Sequence, residues 1–499
     1  MKKTYILLFC LLAAIPAIFA QKVAHTAINK QNISLRGNPT AVGQVTIQAP
    51  SAGKVILRFD GYCISALGDR IVLAASKTTN WGAKDDNVEV EAYGANAPAS
   101  SFSHTRAYDV AAGEHTFFAV AQNFFKMEGN GIASIYGSLT AEWFPEVPGQ
   151  PFARHNGFSF ENIYIEGAPI PFNSLTIDAP VSGKVLVRFD GKCISGYGDL
   201  IFFAASNTPT WTNLDGSTSN EVVTNDINCF SFSHTRSYDV AAGSHTFYAV
   251  VENFFEIYGN GFASVYGSLT VQFYPDSEAS KLATQSITTP FGVNLEGPPV
   301  TVGTMNVNAP VAGKVAVNFV GTCIGTFGDK IRLAASNEPN WLPDDGNIEF
   351  KAYSSDINRT SFSHTRLYDV APGDHTFYAV MQNVEEFDGS GLAVVYATMS
   401  TKFFPEGTIA VAEPEVFQNI RVSPNPATDY VLIEFPDLNN ETFSLSLCDA
   451  NGRILRTFEK ASGAFLEQMS WDVSTLSTGV YFLKMQHTSG TSVRQIIRL

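Results

Sequence analysis

The hexapeptide Ser-Phe-Ser-His-Thr-Arg occurs three times in this chain, starting at Ser101, Ser231 and Ser361, so both intervals are 130 residues. Cys63, Cys193 and Cys323 keep that interval, as do Trp81, Trp211 and Trp341. A fixed period means three copies of one folded unit. This period lies far above the roughly 20–50 residues of solenoid repeats, and each copy is long enough to bury a core of its own.

The ends of the chain do not repeat. Lys2 and Lys3 precede the apolar run Tyr5 to Ala14, and small residues follow up to Ala20. A positive start, a short apolar run and a small-residue stop read as a secretory signal peptide cleaved after Ala20. No later apolar run approaches the roughly 20 residues of a membrane span. The 32 basic and 47 acidic side chains give −15, and loss of Lys2 and Lys3 makes that −17. Without a Lys/Arg cluster, such a charge repels a phosphate backbone and argues against nucleic acid as a partner.

One copy is written in strands. Val55, Leu57 and Phe59 alternate with Lys54, Ile56, Arg58 and Asp60, the period of a strand with one face inward. Further strands are expected over Val45–Gln48, Arg70–Ala75, Val88–Tyr93, Ser101–Val110, His115–Phe124 and Ile132–Phe144. Ala111 to Glu114 reads as a hairpin turn between Ser101–Val110 and His115–Phe124. About eight strands and no helical period make a two-sheet sandwich. Segments such as Glu146 to Ser174 read as connections between copies.

Two stretches resemble a known family. Ile177-Asp178-Ala179-Pro180-Val181-Ser182-Gly183-Lys184-Val185 and Ala263-Ser264-Val265-Tyr266-Gly267-Ser268-Leu269 look like the first and last strands of the C1q/TNF-like jelly roll. By that resemblance, copies associate through the sheet that carries the first and last strands. The final strand is apolar on both faces: Ile135, Tyr136, Leu139, Trp143 and Phe144 in copy 1, Tyr266, Leu269, Phe273 and Tyr274 in copy 2. A strand needing cover on both sides suits a sheet packed inside and docked outside. Two arrangements follow: a pseudo-trimer within one chain, or a row of independent copies.

After Pro405 the period stops. Val422-Ser423-Pro424-Asn425-Pro426-Ala427-Thr428-Asp429, a strand from Tyr430 to Phe435, Leu447-Cys448-Asp449-Ala450-Asn451-Gly452-Arg453 and Leu476-Ser477-Thr478-Gly479-Val480-Tyr481 follow in order. Asn451-Gly452 between two apolar runs is a hairpin signal, and the breakers isolate six or seven short strands. This module closely resembles the C-terminal sorting domain of type IX secretion cargo in Bacteroidota. The resemblance implies the type IX machinery as partner, passage through the periplasm, and a secreted or outer-surface destination. The chain is therefore expected to be all-β. Residues 1–20 are the signal peptide, and three tandem jelly-roll-like sandwiches span 21–155, 156–285 and 286–406. A linker, 407–415, leads to a small Ig-like sorting sandwich, 416–499.

Five cysteines remain after Cys10. Copy 2 alone has a second one, which makes Cys193–Cys229 a disulfide candidate. Cys63 and Cys323 read as buried core residues. The recurring histidines, His104/115, His234/245 and His364/375, do not converge in the expected hairpin and read as structural, so no metal is expected. Arg106, Tyr108 and Asp109 read as a carboxylate–guanidinium link between strands. Each loop tryptophan precedes acidic residues: Trp81 with Asp85, Trp211 with Asp215, Trp341 with Asp345. An indole beside carboxylates can stack on a sugar ring, or simply plug the end of a sandwich. No Gly-x-Ser-x-Gly elbow, His-Glu-x-x-His helix or phosphate-binding glycine loop occurs. The expected function is non-catalytic binding or adhesion outside the cell, with a glycan or surface polymer as partner and no cofactor. The alternatives are an extracellular hydrolase built on Asp69 and its equivalents, or a structural matrix component.

Overall fold

The computed structural model describes residues 23–405 and 420–499, apart from short stretches between strands. Residues 81–86, 92–98, 211–215, 223–227, 341–346 and 352–357 are among those stretches. The signal peptide with its cleavage after Ala20, and the 407–415 linker, lie outside the described residues. Two compact units result: Ala20–Glu406, and one holding Gly407–Leu499.

Copy 1 supplies β1 (Val23–Ser34), β2 (Thr40–Ala49), β3 (Gly53–Ser65), β4 (Asp69–Ser76), β5 (Val88–Glu91), β6 (Ala99–Val110), β7 (Gly113–Lys126) and β8 (Ile132–Pro145). Its antiparallel sheets run β1-β8-β3-β6 and β2-β7-β4-β5. The chain changes sheet at every connection except β4 to β5, which is the jelly-roll topology. Copy 2 repeats it with β9 (Phe152–Tyr164), β10 (Ile170–Ala179), β11 (Gly183–Ser195), β12 (Asp199–Ser206), β13 (Thr218–Glu221), β14 (Asn228–Val240), β15 (Gly243–Glu256) and β16 (Phe262–Pro275). A single helical turn, α1 (Asp276–Ala279), follows. In copy 3 the first strand is split into β17 (Leu282–Thr288) and β18 (Val293–Asn294), both on the last strand. The others are β19 (Val300–Ala309), β20 (Gly313–Gly325), β21 (Lys330–Ser336), β22 (Ile348–Lys351), β23 (Asn358–Val370), β24 (Gly373–Glu385) and β25 (Leu392–Pro405).

The alternation read in β3 is real: Val55, Leu57 and Phe59 are fully buried in one sandwich core. Phe59 meets Phe102 edge to face at 4.7 Å, and Phe189–Phe232 and Phe319–Phe362 repeat the pair. Gly61, on the paired strand β3, lies so close to β8 that a Cβ would stand 2.1 Å from the Tyr136 carbonyl oxygen.

Four expectations need correction. Glu146 to Ser174 is not a bare connection, because β9 and the start of β10 occupy most of it. The first strands β1, β9 and β17 are sheet edges with largely polar, exposed residues, so no apolar period marks them. Consequently the boundaries at 155/156 and 285/286 cut β9 and β17. The stretch Ile177 to Val185 is the junction of the second and third strands, β10 into β11, not a first strand. Finally, Ala111 to Glu114 is no hairpin turn: β6 pairs with β3 and β7 with β2 and β4, so this corner carries the chain from one sheet to the other.

The tail unit holds β26 (Arg421–Ser423), β27 (Tyr430–Glu434), β28 (Phe443–Cys448), β29 (Ile454–Lys460), β30 (Gln468–Asp472), β31 (Gly479–His487) and β32 (Gly490–Arg498). They form sheets β26-β27-β30 and β29-β28-β31-β32 over a core that includes Val431, Leu445, Trp471 and Leu483. The antiparallel β28–β29 pair is the hairpin expected around Asn451-Gly452.

Candidate functional site on the axis shared by the three copies

The fifth strand of each copy leans on the next copy, and the third copy closes back on the first. At the first seam Glu89 of β5 meets Lys192 of copy 2 at 3.3 Å, with Arg70 behind it at 2.6 Å. At the second, Thr218 of β13 bonds Thr322 of copy 3 at 2.8 Å, and the Ser219 amide donates to the same hydroxyl at 2.6 Å. At the third, Tyr62 of copy 1 packs into the copy 3 core, and burial, then the nearby Glu349 carboxylate, push its phenol pKa up. The sixth strands meet in the middle. Ser103 N–H donates to Ser231 Oγ at 3.0 Å, Ser233 N–H to Ser361 Oγ at 3.2 Å, and Ser101 Oγ to the Ser361 carbonyl. The pseudo-trimer is therefore the arrangement adopted, not the row of independent copies.

Arg188 stands at the centre of this axis. Its Nε donates to Asp190 at 2.9 Å. Its NH2 group reaches Asp60 of copy 1 at 3.1 Å, Ser103 of copy 1 at 2.6 Å and Ser363 of copy 3 at 3.0 Å. Asp60 also accepts from Thr365 at 2.6 Å, and Asp190 from Ser268 at 2.8 Å and from Thr105. Burial works to raise the Asp190 pKa, but Arg188 and these hydroxyls outweigh it and hold the carboxyl below its ordinary range. One guanidinium thus bridges all three copies, with its two carboxylates fully supplied with donors.

A second ring lies along the same axis. Glu142, Gln272 and Lys402 occupy one repeat position, and here an acid, an amide and a base meet. Lys402 pairs with Glu142 and lies 3.4 Å from the Gln272 carbonyl, while Gln272 Nε2 and the Tyr274 hydroxyl donate to Glu142 at 3.4 and 3.2 Å. Three rings surround the ammonium, at 4.4 Å for Tyr274, 5.3 Å for Phe144 and 5.4 Å for Phe404. Burial lowers the Lys402 pKa to about 8 against the opposing pull of Glu142. The two-faced apolar final strand is explained: Phe144 and Tyr274 cover the seam together with Ile56, Leu186 and Leu282.

The hexapeptide has a division of labour that accounts for its recurrence. Ser101, Ser103 and Thr105 face neighbouring copies, whereas Phe102 and His104 face inward. His104 Nδ1 accepts the Ala75 amide at 2.8 Å, and Tyr108 donates to the Ala75 carbonyl at 3.3 Å, tying the two sheets of one sandwich together. His234–Ala205 and His364–Ala335 repeat the bond at 2.9 and 2.8 Å. Burial, then Arg106, lowers the His104 pKa to about 3; burial, then Arg236 and Arg188, does the same to His234. His115 bonds the Ala111 carbonyl at 2.8 Å, across its own corner. Asp109 pairs with Lys54 of β3, not with Arg106, whose guanidinium lies 5.4 Å over the Tyr108 ring. Asp69 is fully buried and accepts from Asn123 Nδ2 and, at 3.0 Å, from the Gly131 amide.

The disulfide candidate fails on strand register. Cys229 lies opposite Ile194, while Cys193 lies opposite Phe230, so the two thiols point to opposite faces of the sheet. Cys193 joins the copy 2 core, and Cys229 turns to Glu89 of copy 1, with Sγ 3.5 Å from its carboxylate; neither forms a disulfide. The loop candidates Trp81, Asp85, Trp211, Asp215, Trp341 and Asp345 all lie outside the described residues. What sequence reasoning missed is the axis. Its signal was present as departures from the repeat: Arg58/Arg188/Asn318, Asp60/Asp190/Val320, Glu142/Gln272/Lys402 and Tyr62/Lys192/Thr322.

Fold and axis together define a single-chain pseudo-trimer of jelly rolls. The tail adds its destination: residues 421–498 match the family of secretion system C-terminal sorting domains. The protein is thus exported through type IX secretion and is secreted or held at the outer cell surface. No curated protein matches the sequence. Among solved structures the chain is similar to a Faecalibacterium prausnitzii beta-glucuronidase, at 12% identity over 39% of this chain and 36% of that one, with a TM-score of 0.14. It spans only about a third of that enzyme's chain. It is also similar to a Sulfolobus Turreted Icosahedral Virus structure (9% identity, 80% and 94% covered, TM-score 0.17). An infectious bursal disease virus structure, Gt strain, is a further match (12%, 79% and 84%, TM-score 0.17). Likenesses of that size carry no argument, and the fold assignment rests on the strand order.

Proposed function

We propose that the chain is a non-catalytic extracellular binding protein whose three copies form one rigid head for a glycan or surface polymer. The observation that carries this reading is the use made of the recurring polar residues. His104, Tyr108 and Asp69 are buried or half-buried and spent on bonds within a copy. Ser103 and Thr105 are spent on bonds between copies, as is Asp60, which recurs in copy 2 alone. Asp69, the residue on which a hydrolase would depend, is held by a side-chain amide and a backbone amide of its own sandwich. The strands that flank the loops of Trp81, Trp211 and Trp341 are anchored at the seams: the Asn87 side chain accepts from Lys192 of copy 2 at 3.2 Å. Three equivalent loops on one scaffold suit multivalent attachment, in which affinity gains come from effective concentration. The mature full chain is expected to bind on an array of cell-wall and algal polysaccharides, and joint replacement of Trp81, Trp211 and Trp341 by Ala to abolish that binding. Hydrolysis of any arrayed polymer, or binding unchanged in the triple variant, would sink the proposal.

A further inference from the structure

The two axial arginines are not treated alike. Arg188 uses the aspartate of its own copy and that of the preceding copy. By the same rule Arg58 should use Asp60 and the copy 3 residue at that position, which is Val320. Arg58 accordingly stands 3.9 Å from Asp60, too far for a hydrogen bond, and among the described residues its buried Nε has no hydrogen-bond partner, although the charges of Asp60, Asp190 and Glu142 all act on it. Copy 3 also opens space beside it. Ala316, Asn318 and Ser400 are each smaller than their counterparts Ile56 and Leu186, Arg58 and Arg188, and Thr140 and Thr270. The result is a cavity of about 40 Å³ whose polar lining includes Arg58, Thr140, Gln272, Asn318, Ser400 and Lys402, together with Glu142, and whose remaining wall is largely apolar, with Ile56, Leu186 and Phe404 in it. One ordered water needs only roughly 10–15 Å³. Glu142 acts on Arg58 through its charge, but its hydrogen bonds go to Lys402, Gln272 and Tyr274, so Arg58 Nε stays without one.

We propose that this axial cavity binds one small monovalent inorganic anion of halide size, held by Arg58, to which copy 3 offers Val320 and no carboxylate at the matching position. The Ser400 hydroxyl and the Asn318 amide complete the shell, with Thr140 and Gln272 forming the walls from copies 1 and 2, so all three copies contribute. Burying a guanidinium with an unmet N–H is costly, so an anion that binds only the closed ring stabilises the folded chain.

The test uses the full mature chain, with chloride or bromide replacing gluconate at constant ionic strength. The melting temperature should rise saturably, corresponding to about a hundredfold shift of the folding equilibrium at one hundred times Kd. Crystals grown in bromide should show an anomalous peak within hydrogen-bonding distance of the Arg58 guanidinium. Val320→Asp supplies the missing carboxylate and should remove both the halide response and the peak, as should Arg58→Met. If Arg58→Met does not fold, Val320→Asp still decides. A flat halide titration without a bromide peak, meaning water only, overturns the proposal. A response undiminished in Val320→Asp overturns it too.

Discussion

Arg188→Met would remove the guanidinium that bridges all three copies at the centre of the axis. The variant leaves Asp60 and Asp190, 2% and 1% exposed, without their hydrogen-bonded cation, and only Arg58, 3.9 Å from Asp60, remains nearby. Removing one partner of a buried ion pair costs about 3–5 kcal/mol, because the remaining charge cannot recover its water. Against a typical total of about 5–15 kcal/mol that is a large loss. The reasoning has a second half, because copy 3 has already dispensed with these charges: Asn318 and Val320 occupy the same positions. Combining Arg188→Met with Asp60→Val and Asp190→Val, in an Arg58→Met parent so that Arg58 is not left without Asp60, removes the cluster's charges together, and such apolar replacement of a buried ionic cluster is often neutral. The triple variant should therefore recover to within about 1–2 kcal/mol of the parent. Urea unfolding followed by tryptophan fluorescence measures both, read as a midpoint shift at unchanged slope. An Arg188→Met midpoint indistinguishable from the parent would refute the reasoning, as would a triple variant no better than the single one.

Acid should loosen the sandwiches before it neutralises the axis. The folded pKa values of His104 and His234, about 3, lie below the ordinary 6.5, so the folded state binds fewer protons. Their stabilisation is complete above pH 6.5 and is lost as pH falls towards 3, by about 2 kcal/mol for each by pH 5. Melting temperature against pH should fall across that window, and His104→Gln with His234→Gln should flatten it; a profile unchanged in the double variant contradicts the assignment. The seams also predict an order of assembly. The three copies expressed as separate polypeptides should associate as one of each, since Glu142, Gln272 and Lys402 complement one another only in that mixture. Native mass spectrometry showing homotrimers of copy 3, with three Lys402 ammoniums on one axis, would be the contrary result.

The sandwich was legible because a sandwich core takes every second side chain of a strand, and Val55-Leu57-Phe59 states that period plainly even though the other face of β3, with Ile56 and Asp60, is covered by neighbouring copies. The edge strands were not legible for the same physical reason. β9, with Arg154, Asn156, Ser159 and Glu161 exposed, buries too little on either face to leave a pattern. Topology was half legible: the corner at Ala111 to Glu114 has the composition of a turn, but composition cannot say whether a turn joins paired strands or crosses between sheets. The Cys193–Cys229 pairing failed because sequence proximity ignores which face a side chain takes. In a sheet, one step of register decides that outcome completely.

The axis was hidden for a different reason. Reading the copies as equivalent directs attention to what recurs, and the recurring residues are those each sandwich needs for itself: Phe102 in its core, His104 and Tyr108 between its sheets, Gly61 where two strands nearly touch. A ring of three equal surfaces needs no more than that. A ring built from one chain meets a further requirement, because each copy has a fixed neighbour on either side and the centre must satisfy every buried charge once. Three identical copies would place three like charges at 142 or three guanidiniums at 58, and no geometry on a threefold axis pairs three cations with one another. Acid, amide and base at one position, and Tyr, Lys and Thr at another, resolve that conflict by breaking the symmetry where the copies meet. Departures from the repeat therefore mark the charged part of the contact surface, beside the recurring serines and threonines of the sixth strands. On that reasoning Val320, standing where copies 1 and 2 carry Asp, is where the departures withhold from Arg58 the counterpart of the carboxylate that Arg188 takes from Asp60.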